Sequence, residues 1–525
     1  MTAAASLWSP LRVPTFRGLW VSGAVYFLGN AMHTMACSWL MLEVTESSFL
    51  AALVQTAVFF PMFLLSLPAG VLADIADRGR LMQISLSVYT VTAAILAVLS
   101  LAGMAGPVTL LGFTFIMGCC TALQSPAWNS SVSDSVTREE LPQAITMVSM
   151  AFNGARAVGP ALAGVVFAVA GSGAVFCIAV FTALTMMVSL RRYPPQRYAP
   201  GKLPAERLWG GMLSGLRFFR HSRTIFAQLV RTVAFSGAGS ALWALLPAVA
   251  QQHGLGAAGY GLLMGCLGGG AVAVGFFVGK LRAKWRLDWL VGGCCVVYGL
   301  VMVVAGLSPS RHAVYAALVL GGASWMATMS TLNAATQTSA PLWVRARAAS
   351  MHTLCSLGSF ALGSAVWGAL SDIAGLPATL CTAGAGMMGS ALLARPFPLR
   401  IGAAKEINYA SPRDELHIAE PPHAEAGPVA VEVAYRINTE DTDRFLDAAE
   451  RLRQVRRRAG ATFWRVYRDL GDPSRYVERF IVRSWADYLR QRERATVADQ
   501  ELEGRVRAFQ TSGTSIETYH YIAER

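Results

Sequence analysis

The chain has 525 residues, of which 54% are hydrophobic and only 14% are charged, and its mean hydropathy is +0.44. Residues 1–400 contain 10 of the 31 acidic residues, too few for the surface of a soluble domain of that length. The formal net charge of +13 would suit nucleic acid, but the basic residues of this region lie in stretches between long apolar runs. Anionic lipid attracts basic side chains at such positions, so the composition favours a membrane protein without a nucleic-acid partner.

Apolar runs dominate the first 400 residues. A helix crosses a hydrocarbon layer about 30 Å thick with about 20 apolar residues. Twelve runs of about this length occur, at residues 19–42, 49–73, 81–103, 107–130, 142–170, 173–190, 225–250, 258–279, 287–307, 312–337, 347–371 and 377–394. The sequence therefore predicts twelve spanning helices. The first run is as long as the others and lacks a small-residue cleavage site, so we expect it to remain as the first helix and not to be removed as a signal peptide.

Basic residues gather in every alternate connection between these runs. One set holds 21 of them: Arg12, Arg17, Arg78, Arg80, Arg138, the eight Lys and Arg residues from Arg191 to Arg223, Lys280, Arg282, Lys284, Arg286, Arg345, Arg347, Arg395 and Arg400. The other set holds only Arg311. Because basic connections face the cytoplasm, we expect a protein of the bacterial inner membrane with both termini in the cytoplasm.

The nine cysteines lie in or beside the predicted spans and form no CxxC pair. Such cysteines are more typical of buried apolar positions than of disulfides or metal sites. The spans also contain no phosphate-binding loop and no cluster of metal-ligand residues. We therefore expect no cofactor and no metal, with energy supplied by an ion gradient, most favourably of protons.

An internal repeat divides the apolar region into two halves. Four glycines recur at a constant separation of 204 residues: Gly154, Gly159, Gly164 and Gly171 correspond to Gly358, Gly363, Gly368 and Gly375. The sequence thus predicts two parallel six-helix halves, at residues 1–192 and 225–396, joined by a cytoplasmic loop at residues 193–224. A linker at residues 397–428 then leads to a soluble domain at residues 429–525, where acidic residues become frequent.

A short signature follows the second run. The segment Gly70–Arg80 contains a characteristic pattern of glycine, apolar, acidic and basic residues: Gly70, Leu72, Ala73, Asp74 and Arg78. It resembles the loop between the second and third helices of major facilitator superfamily transporters, although Ile75 and Asp77 replace a basic residue and a glycine of that pattern. The resemblance implies twelve helices around a central cavity, with the halves rocking to expose a small-molecule substrate to each side in turn.

The same resemblance implies a conformational latch. Asp74 would lie at the cytoplasmic start of the eleventh helix, where the helix N-terminus and Arg345 or Arg347 favour an acid. Arg78 and Arg80 would accompany it in the loop. The alternative is that these charged residues only solubilise the loop and set its orientation.

The fifth run contains a second signature, carried by Gly154, Gly159, Pro160 and Gly164. It resembles the glycine and proline motif of exporters in the same superfamily, so the resemblance implies export. Small residues at this spacing also let helices approach closely, and we take helix packing as their direct role. Arg156 lies within this motif, and a guanidinium inside a bilayer is costly unless it faces a partner or a watery cavity. It therefore either serves the substrate or a proton, or makes a structural pair near the cytoplasmic face.

Further polar residues are candidates for the cavity. Asn30 and His33 lie one turn apart on the first run and could face the cavity together, with His33 as a proton carrier or as a hydrogen-bonding partner of a neighbouring helix. The weaker candidates are Gln55, Gln124, Asn153, Arg231, Asn333 and Gln337.

The C-terminal domain shows the patterns of a small α+β fold. Residues 429–437 alternate as a half-buried strand, helical spacing follows to residue 455, and two strand-like runs flank the turn Gly471-Asp472-Pro473. A further helix and strand complete the order βαββαβ, which predicts a ferredoxin-like sandwich. The domain resembles antibiotic-biosynthesis monooxygenases, whose sheets usually pair into a homodimer. It also resembles the tail of bacterial exporters of the transmembrane secretion effector type, the branch that includes the enterobactin exporter.

These patterns predict an all-α membrane protein with a small α+β domain, acting as a secondary transporter that exports small organic molecules by proton antiport. Two alternatives remain. One is an importer on the same scaffold. The other is a membrane-tethered enzyme whose tail uses a pocket lined by Trp464, Trp485, Tyr467 and His520, although aromatic residues in a sheet are more often core or interface.

Overall fold

The structure is a computed structural model that describes residues 8–75, 77–137, 139–192, 219–341, 344–410, 418, 420 and 422–524. The chain divides into two compact units. The first comprises Met1–Lys202, Val230–Leu332 and His352–Phe397, and the second comprises Leu203–Leu229, Asn333–Met351 and Pro398–Arg525. Most of the predicted connection at residues 193–224 lies outside the described residues.

Long helices form the apolar region. They are α1 (Pro14–Thr45), α2 (Ser48–Ile75), α3 (Arg78–Leu101), α4 (Pro107–Asp134), α5 (Leu141–Arg192), α6 (Arg223–Gln252), α7 (Ala257–Gly275), the short α8 (Val278–Lys284), α9 (Leu287–Leu307), α10 (Arg311–Thr338), α11 (Arg345–Ala374) and α12 (Leu376–Ser390). Proline occupies the first turn of α1, α4 and α12, where its missing N–H leaves no hydrogen bond unmade.

Ten of the described helices are long and apolar enough to cross a membrane. The longest of them, α5, is interrupted at Gly171, whose φ of 78° is not helical. This break separates the predicted runs 142–170 and 173–190. With α1, which has 32 residues, every one of the twelve predicted runs falls on a helix. The mostly helical fold class predicted from the sequence is confirmed.

The repeat recurs in the helix breaks. Gly171 interrupts α5, and Gly375, 204 residues later, separates α11 from α12 with a φ of 82°. A side chain in this left-handed region would clash with its own backbone, at a cost of roughly 1–2 kcal/mol. Glycine therefore ends one helix and starts the next at the same point in each half.

The repeat also recurs in the packing between the halves. A Cβ at Gly164 would lie 2.6 Å from the carbonyl oxygen of Ala257, and a Cβ at Gly368 would lie 2.6 Å from the Cβ of Ala52. Gly164 and Gly368 are repeat partners, and Ala257 and Ala52 are 205 residues apart. Helix α5 thus approaches α7 of the other half in the same way as α11 approaches α2.

The core of the first half joins its helices around large buried side chains. The cluster includes Phe16, Tyr26, Met82, Tyr89 and Trp128, each at most 5% exposed. Side chains from α1, α3, α4 and α5 interdigitate there, so these helices pack as one bundle.

The C-terminal domain contains a four-stranded antiparallel sheet with the order β2-β3-β1-β4. Its described elements are β1 (Val429–Arg436), α14 (Thr442–Arg458), β2 (Phe463–Arg468), β3 (Arg475–Val482), α15 (Trp485–Glu493), α16 (Val497–Arg507) and β4 (Glu517–Ile522). A four-residue helix, α13 (Ala404–Ile407), precedes them. The prediction of a ferredoxin-like sheet is confirmed. The structure differs in having two helices before β4, because Thr496 caps a new helix by accepting a hydrogen bond from the backbone N–H of Asp499.

Candidate functional site

Arg156 lies between two aromatic rings that come from different halves. Its guanidinium carbon is 5.8 Å from the ring centroid of Phe152, one turn earlier on α5, and 5.1 Å from that of Trp243 on α6. Among the residues that the structure describes, Arg156 has no acidic partner within ion-pair distance. Stacking on ring faces stabilises a desolvated cation by about 2 kcal/mol or more, which compensates part of the cost of its burial. It leaves the N–H groups of the guanidinium edge free for an acceptor.

Further aromatic contacts extend from both sides of Arg156. Trp243 contacts Trp325 on α10 at 6.0 Å between centroids, Trp325 contacts Phe360 on α11 at 5.8 Å, and Phe360 contacts Phe59 on α2 at 4.9 Å. On the other side, Phe152 contacts Phe27 on α1 at 5.4 Å. We call this set the aromatic girdle: Phe27, Phe152, Trp243, Trp325, Phe360 and Phe59. Six helices, three from each half, contribute one ring each.

Asn30 and His33 make separate contacts. The side-chain carbonyl of Asn30 accepts a hydrogen bond of 3.2 Å from the hydroxyl of Tyr89 on α3. His33 is 2% exposed, and its Nε2 lies 3.5 Å from the sulfur of Cys37 while its ring contacts Phe176 on α5. The two side chains therefore contact different helices and are not brought together.

Three other cavity candidates have defined partners in the bundle. The Gln124 amide donates to the sulfur of Met186, and the Asn153 amide donates to the carbonyl of Ser149 in its own helix. Arg231 forms an ion pair of 3.3 Å with Asp288.

The remaining candidates are Gln55, Asn333 and Gln337. Gln55 is buried on α2. In the second unit, the Gln337 amide donates a hydrogen bond of 2.9 Å to Asn333. The structure thus leaves Arg156 as the candidate whose contacts join the two halves.

The glycine motif on α5 packs against two different helices. A Cβ at Gly159 would lie 2.9 Å from that of Ala31 on α1, and the carbonyl oxygen of Pro160 lies 2.5 Å from the place of a Cβ at Gly261 on α7. Gly154 has no heavy atom within 4 Å of such a Cβ. The segment around Arg156 is therefore held on both sides by close backbone contacts.

The segment Gly70–Arg80 is shorter as a loop than the sequence indicates, because α2 continues to Ile75. The Asp77 side chain caps α3 by accepting a hydrogen bond of 3.0 Å from the N–H of Arg80, and Arg78 forms an ion pair of 2.8 Å with Asp134. The surroundings of Gly70 and the side chain of Asp74 lie outside what the structure describes. Arg345 is exposed and Arg347 is half-buried at the start of α11.

An acid at the opposite end of α2 was not predicted. The Asp372 carboxylate accepts a hydrogen bond of 2.7 Å from the Ser47 hydroxyl and one of 3.1 Å from the backbone N–H of Phe49. Asp372 lies at the end of α11 in one half and caps α2 of the other half. Acidic residues are scarce in this part of the sequence, and Asp372 is one of only ten in the first 400 residues. That scarcity was the signal that could have identified it.

The tail has a buried ionic cluster between its sheet and its helices. Glu478 on β3 accepts hydrogen bonds of 2.9 Å from Trp464 Nε1 and from Arg456 Nε, and one of 3.2 Å from the Tyr435 hydroxyl. Arg456 also pairs with Glu503 at 3.4 Å. Burial, followed by the nearby Glu478 charge, raises the pKa of Tyr435, so the phenol stays a donor.

A second polar cluster joins β4 to α15. The Tyr488 hydroxyl lies 2.6 Å from His520 Nε2, and the rings of Trp485 and His520 make an edge contact. Burial and the Arg492 charge lower the pKa of His520. Of the predicted pocket residues, the structure brings Trp485 and His520 together, while Trp464 bonds Glu478 and Tyr467 lies on the exposed side of β2. The described residues contain no group of three or more His, Cys, Asp or Glu suited to a metal.

Comparison with known proteins gives a consistent set of similarities. A family described as transmembrane secretion effector matches residues 5–525. The staphyloferrin A transporter of Staphylococcus aureus is 29% identical over 192 residues, which are 35% of this chain and 48% of that protein. The multidrug efflux pump Tap of Mycobacterium tuberculosis is 24% identical over 74% of this chain and 93% of its own length. The enterobactin exporter EntS of Shigella boydii is 24% identical over 71% of this chain and 89% of its own length.

Solved structures resemble the helical region. A bacterial homologue of the human lysosomal transporter Spinster, in an inward-facing conformation, aligns with a TM-score of 0.55 at 16% identity over 73% of this chain and 95% of its own. The nucleoside transporter NupG aligns with a TM-score of 0.61 at 11% identity over 73% of this chain and 98% of its own. At these identities the likeness concerns the fold alone.

Proposed function

We propose, on the premise that the chain belongs to the transmembrane secretion effector family of the major facilitator superfamily, that it exports small organic molecules by alternating access. Membership makes the chain a multi-pass membrane transporter of small molecules. The direction of transport, its coupling ion and the role of the tail form our proposal.

The observation that carries alternating access is the repeated packing between the halves. Gly164 against Ala257 and Gly368 against Ala52 form two equivalent smooth contacts. Backbones that approach this closely without interlocking side chains can tilt against each other at low cost. Two such contacts, related by the repeat, support a rocking motion of one half against the other about a central site.

Export is supported by the relatives. Tap is named a multidrug efflux pump and EntS an enterobactin exporter, and both align over more than two thirds of this chain. The exporter-like motif on α5 agrees with this direction. An importer on the same scaffold is the alternative, and the direction assay below separates the two.

We further propose that protons drive transport and that both termini lie in the cytoplasm of a bacterial inner membrane. The basic residues of alternate connections support this orientation. A buried histidine such as His33 is a possible proton carrier by chemistry, but its contacts with Cys37 and Phe176 favour a packing role.

The tail is proposed to be a dimerisation domain without catalysis. On the sheet face opposite the helices, Tyr467, Tyr519 and Tyr521 are 44%, 41% and 48% exposed, and Arg479 pairs with Glu432 between them. Tyrosines among paired charges suit a self-complementary contact with a second copy. Deletion of residues 425–525 then leaves transport activity, whereas a tethered enzyme would lose all activity.

The test of the function uses the full chain in everted membrane vesicles. An exporter accumulates its substrate inside such vesicles when a proton gradient is imposed, and a protonophore abolishes accumulation. Accumulation only in right-side-out vesicles would identify an importer. Accumulation that depends on a sodium gradient and not on the proton gradient would identify sodium as the coupling ion. The proposal that the chain is an exporter would then still hold.

A further inference from the structure

The aromatic girdle and Arg156 define a substrate class. We infer that the central site binds an organic anion that carries an aromatic or other planar group, with Arg156 binding the anionic group and the rings of the aromatic girdle binding the planar part. This inference rests on the proposed function, because it names what the exporter carries.

Arg156 carries the positive charge of this site. The guanidinium is held in place by rings and not by a carboxylate among the described residues. Rings bind the face of a guanidinium, whereas carboxylates and similar anions bind its edge through two parallel N–H bonds. The edge is thus available for a ligand, and an incoming anion would compensate the desolvated charge.

Arg156 lies between rings of the two halves. Phe152 belongs to α5 of the first half and Trp243 to α6 of the second half. The residue 204 positions after Arg156 is Phe360, so the repeat supplies an aromatic ring where the first half supplies a cation. Within the part of the chain that the structure describes, Arg156 is therefore the cation of this site, and a charged ligand has one preferred orientation.

The rings of the aromatic girdle suit a planar ligand. Trp243, Trp325 and Phe360 form a run of edge contacts with centroids 5.8–6.0 Å apart. Rings in such a run present both faces and edges, which suit the quadrupole of another planar group. An aliphatic anion would gain the charge interaction but lose these contacts.

The experiment measures binding to the full chain in detergent with three probes of matched size. The probes are 1-naphthalenesulfonate, decahydronaphthalene-1-sulfonate and naphthyltrimethylammonium, which separate charge from planarity. We expect 1-naphthalenesulfonate to bind most tightly. Arg156→Gln should weaken the binding of this probe at least tenfold, and Arg156→Lys should weaken it less. Naphthyltrimethylammonium should bind more tightly to Arg156→Gln than to the wild type.

A second variant separates the rings from the charge. Trp243→Leu should weaken the binding of 1-naphthalenesulfonate several-fold and leave the affinity for decahydronaphthalene-1-sulfonate unchanged, while Trp243→Phe should restore most of the loss. Ser133→Ala, at an exposed position of α4 where the hydroxyl is bonded to its own helix, is the control and should leave the affinities for all three probes unchanged.

Three results would overturn the inference: absence of saturable 1-naphthalenesulfonate binding, equal affinity of wild type and Arg156→Gln, or tighter binding of the cationic probe by the wild type. These results are distinct from failure of the proposed function. Gradient-driven accumulation of a cationic compound in everted vesicles would leave export standing and reject only the anionic class.

Discussion

The carboxylate of Asp372 caps the helix that begins beside Ser47, although the two residues are 325 positions apart and belong to different halves. One carboxylate oxygen accepts from the Ser47 hydroxyl and the other from the Phe49 N–H. This contact lies at the end of α2 that is farthest from the Gly70–Arg80 segment, because α2 is a single helix of 28 residues, or about 42 Å. It holds that end of the two halves together.

Asp372→Asn should loosen this contact. Charge-assisted hydrogen bonds contribute about 1.5–3 kcal/mol, so we expect at least a tenfold shift toward the conformation open at this end. Spin-label distances between the ends of α2 and α11 measure the shift. Asp134→Asn, which removes an ion pair with Arg78 at the other end of the bundle, is the control. An unchanged distance distribution in Asp372→Asn would show that the cap does not hold the closed state.

Asp74→Asn tests the proposed latch at the other end. If Asp74 stabilises one state through the start of α11, its neutralisation should change the transport rate several-fold at equal protein level, because a helix terminus and a nearby arginine each contribute about 0.3–1 kcal/mol. Initial rates in vesicles give the measurement. Glu139→Gln, an exposed acid close to the same end, should have no effect, and identical kinetics of both variants would reject the latch.

Gly171 and Gly154 form a matched pair of substitutions. Neither has a heavy atom within 4 Å of an added Cβ, but only Gly171 has a positive φ. Gly171→Ala should therefore lower the free energy of unfolding by roughly 1–2 kcal/mol, whereas Gly154→Ala should raise it by up to about 1 kcal/mol in its helix. Thermal unfolding in detergent distinguishes the two signs. Equal effects would mean that the break after the fifth span is not fixed by backbone conformation.

Glu478→Gln should destabilise the tail strongly. It removes one of the two carboxylates that pair with the buried Arg456, and Glu503 remains as the other. We therefore expect a loss of about 3 kcal/mol, the lower end of the range for breaking a buried ion pair. Glu432→Gln removes a partly exposed pair with Arg479 on the open face of the same sheet and should cost about 1 kcal/mol or less. Limited proteolysis of the full chain reports tail unfolding. Equal resistance of both variants would contradict the central role of the buried cluster.

The tail should also lose stability in mild acid through His520. Burial holds the pKa of His520 below its usual value of 6.5, so the unfolded chain binds a proton before the folded chain does. Stability is therefore constant above pH 6.5 and falls as the pH drops below it. His520→Gln should remove this part of the pH dependence in denaturation of the full chain between pH 7.5 and 5. A wild-type profile matching that of His520→Gln would reject the assignment.

The sequence predicted the helices well because their signal is local. Each span is a run of apolar residues, and Gly171 and Gly375 mark breaks by their own conformation. The contacts that join the halves were harder to predict, because their residues are far apart in the chain. Trp243 is distant from Arg156, and Asp372 is still more distant from Ser47. Asn30 and His33 have helical spacing, yet spacing alone does not say which neighbouring helix each side chain meets. In the tail, the pattern predicted the sheet, while the added helix depended on a single cap at Thr496.

The duplicated halves have an evolutionary consequence. Duplication copied the glycines that let helices slide, but the position that repeats Asp372 is Ala168 and the one that repeats Arg156 is Phe360. On the proposed function, the sliding contacts are thus encoded twice, whereas the cation of the ligand site and the cap at one end are each encoded by a single residue. Mutations at those residues can give descendants new cargo or a new resting state while both sliding surfaces are inherited intact.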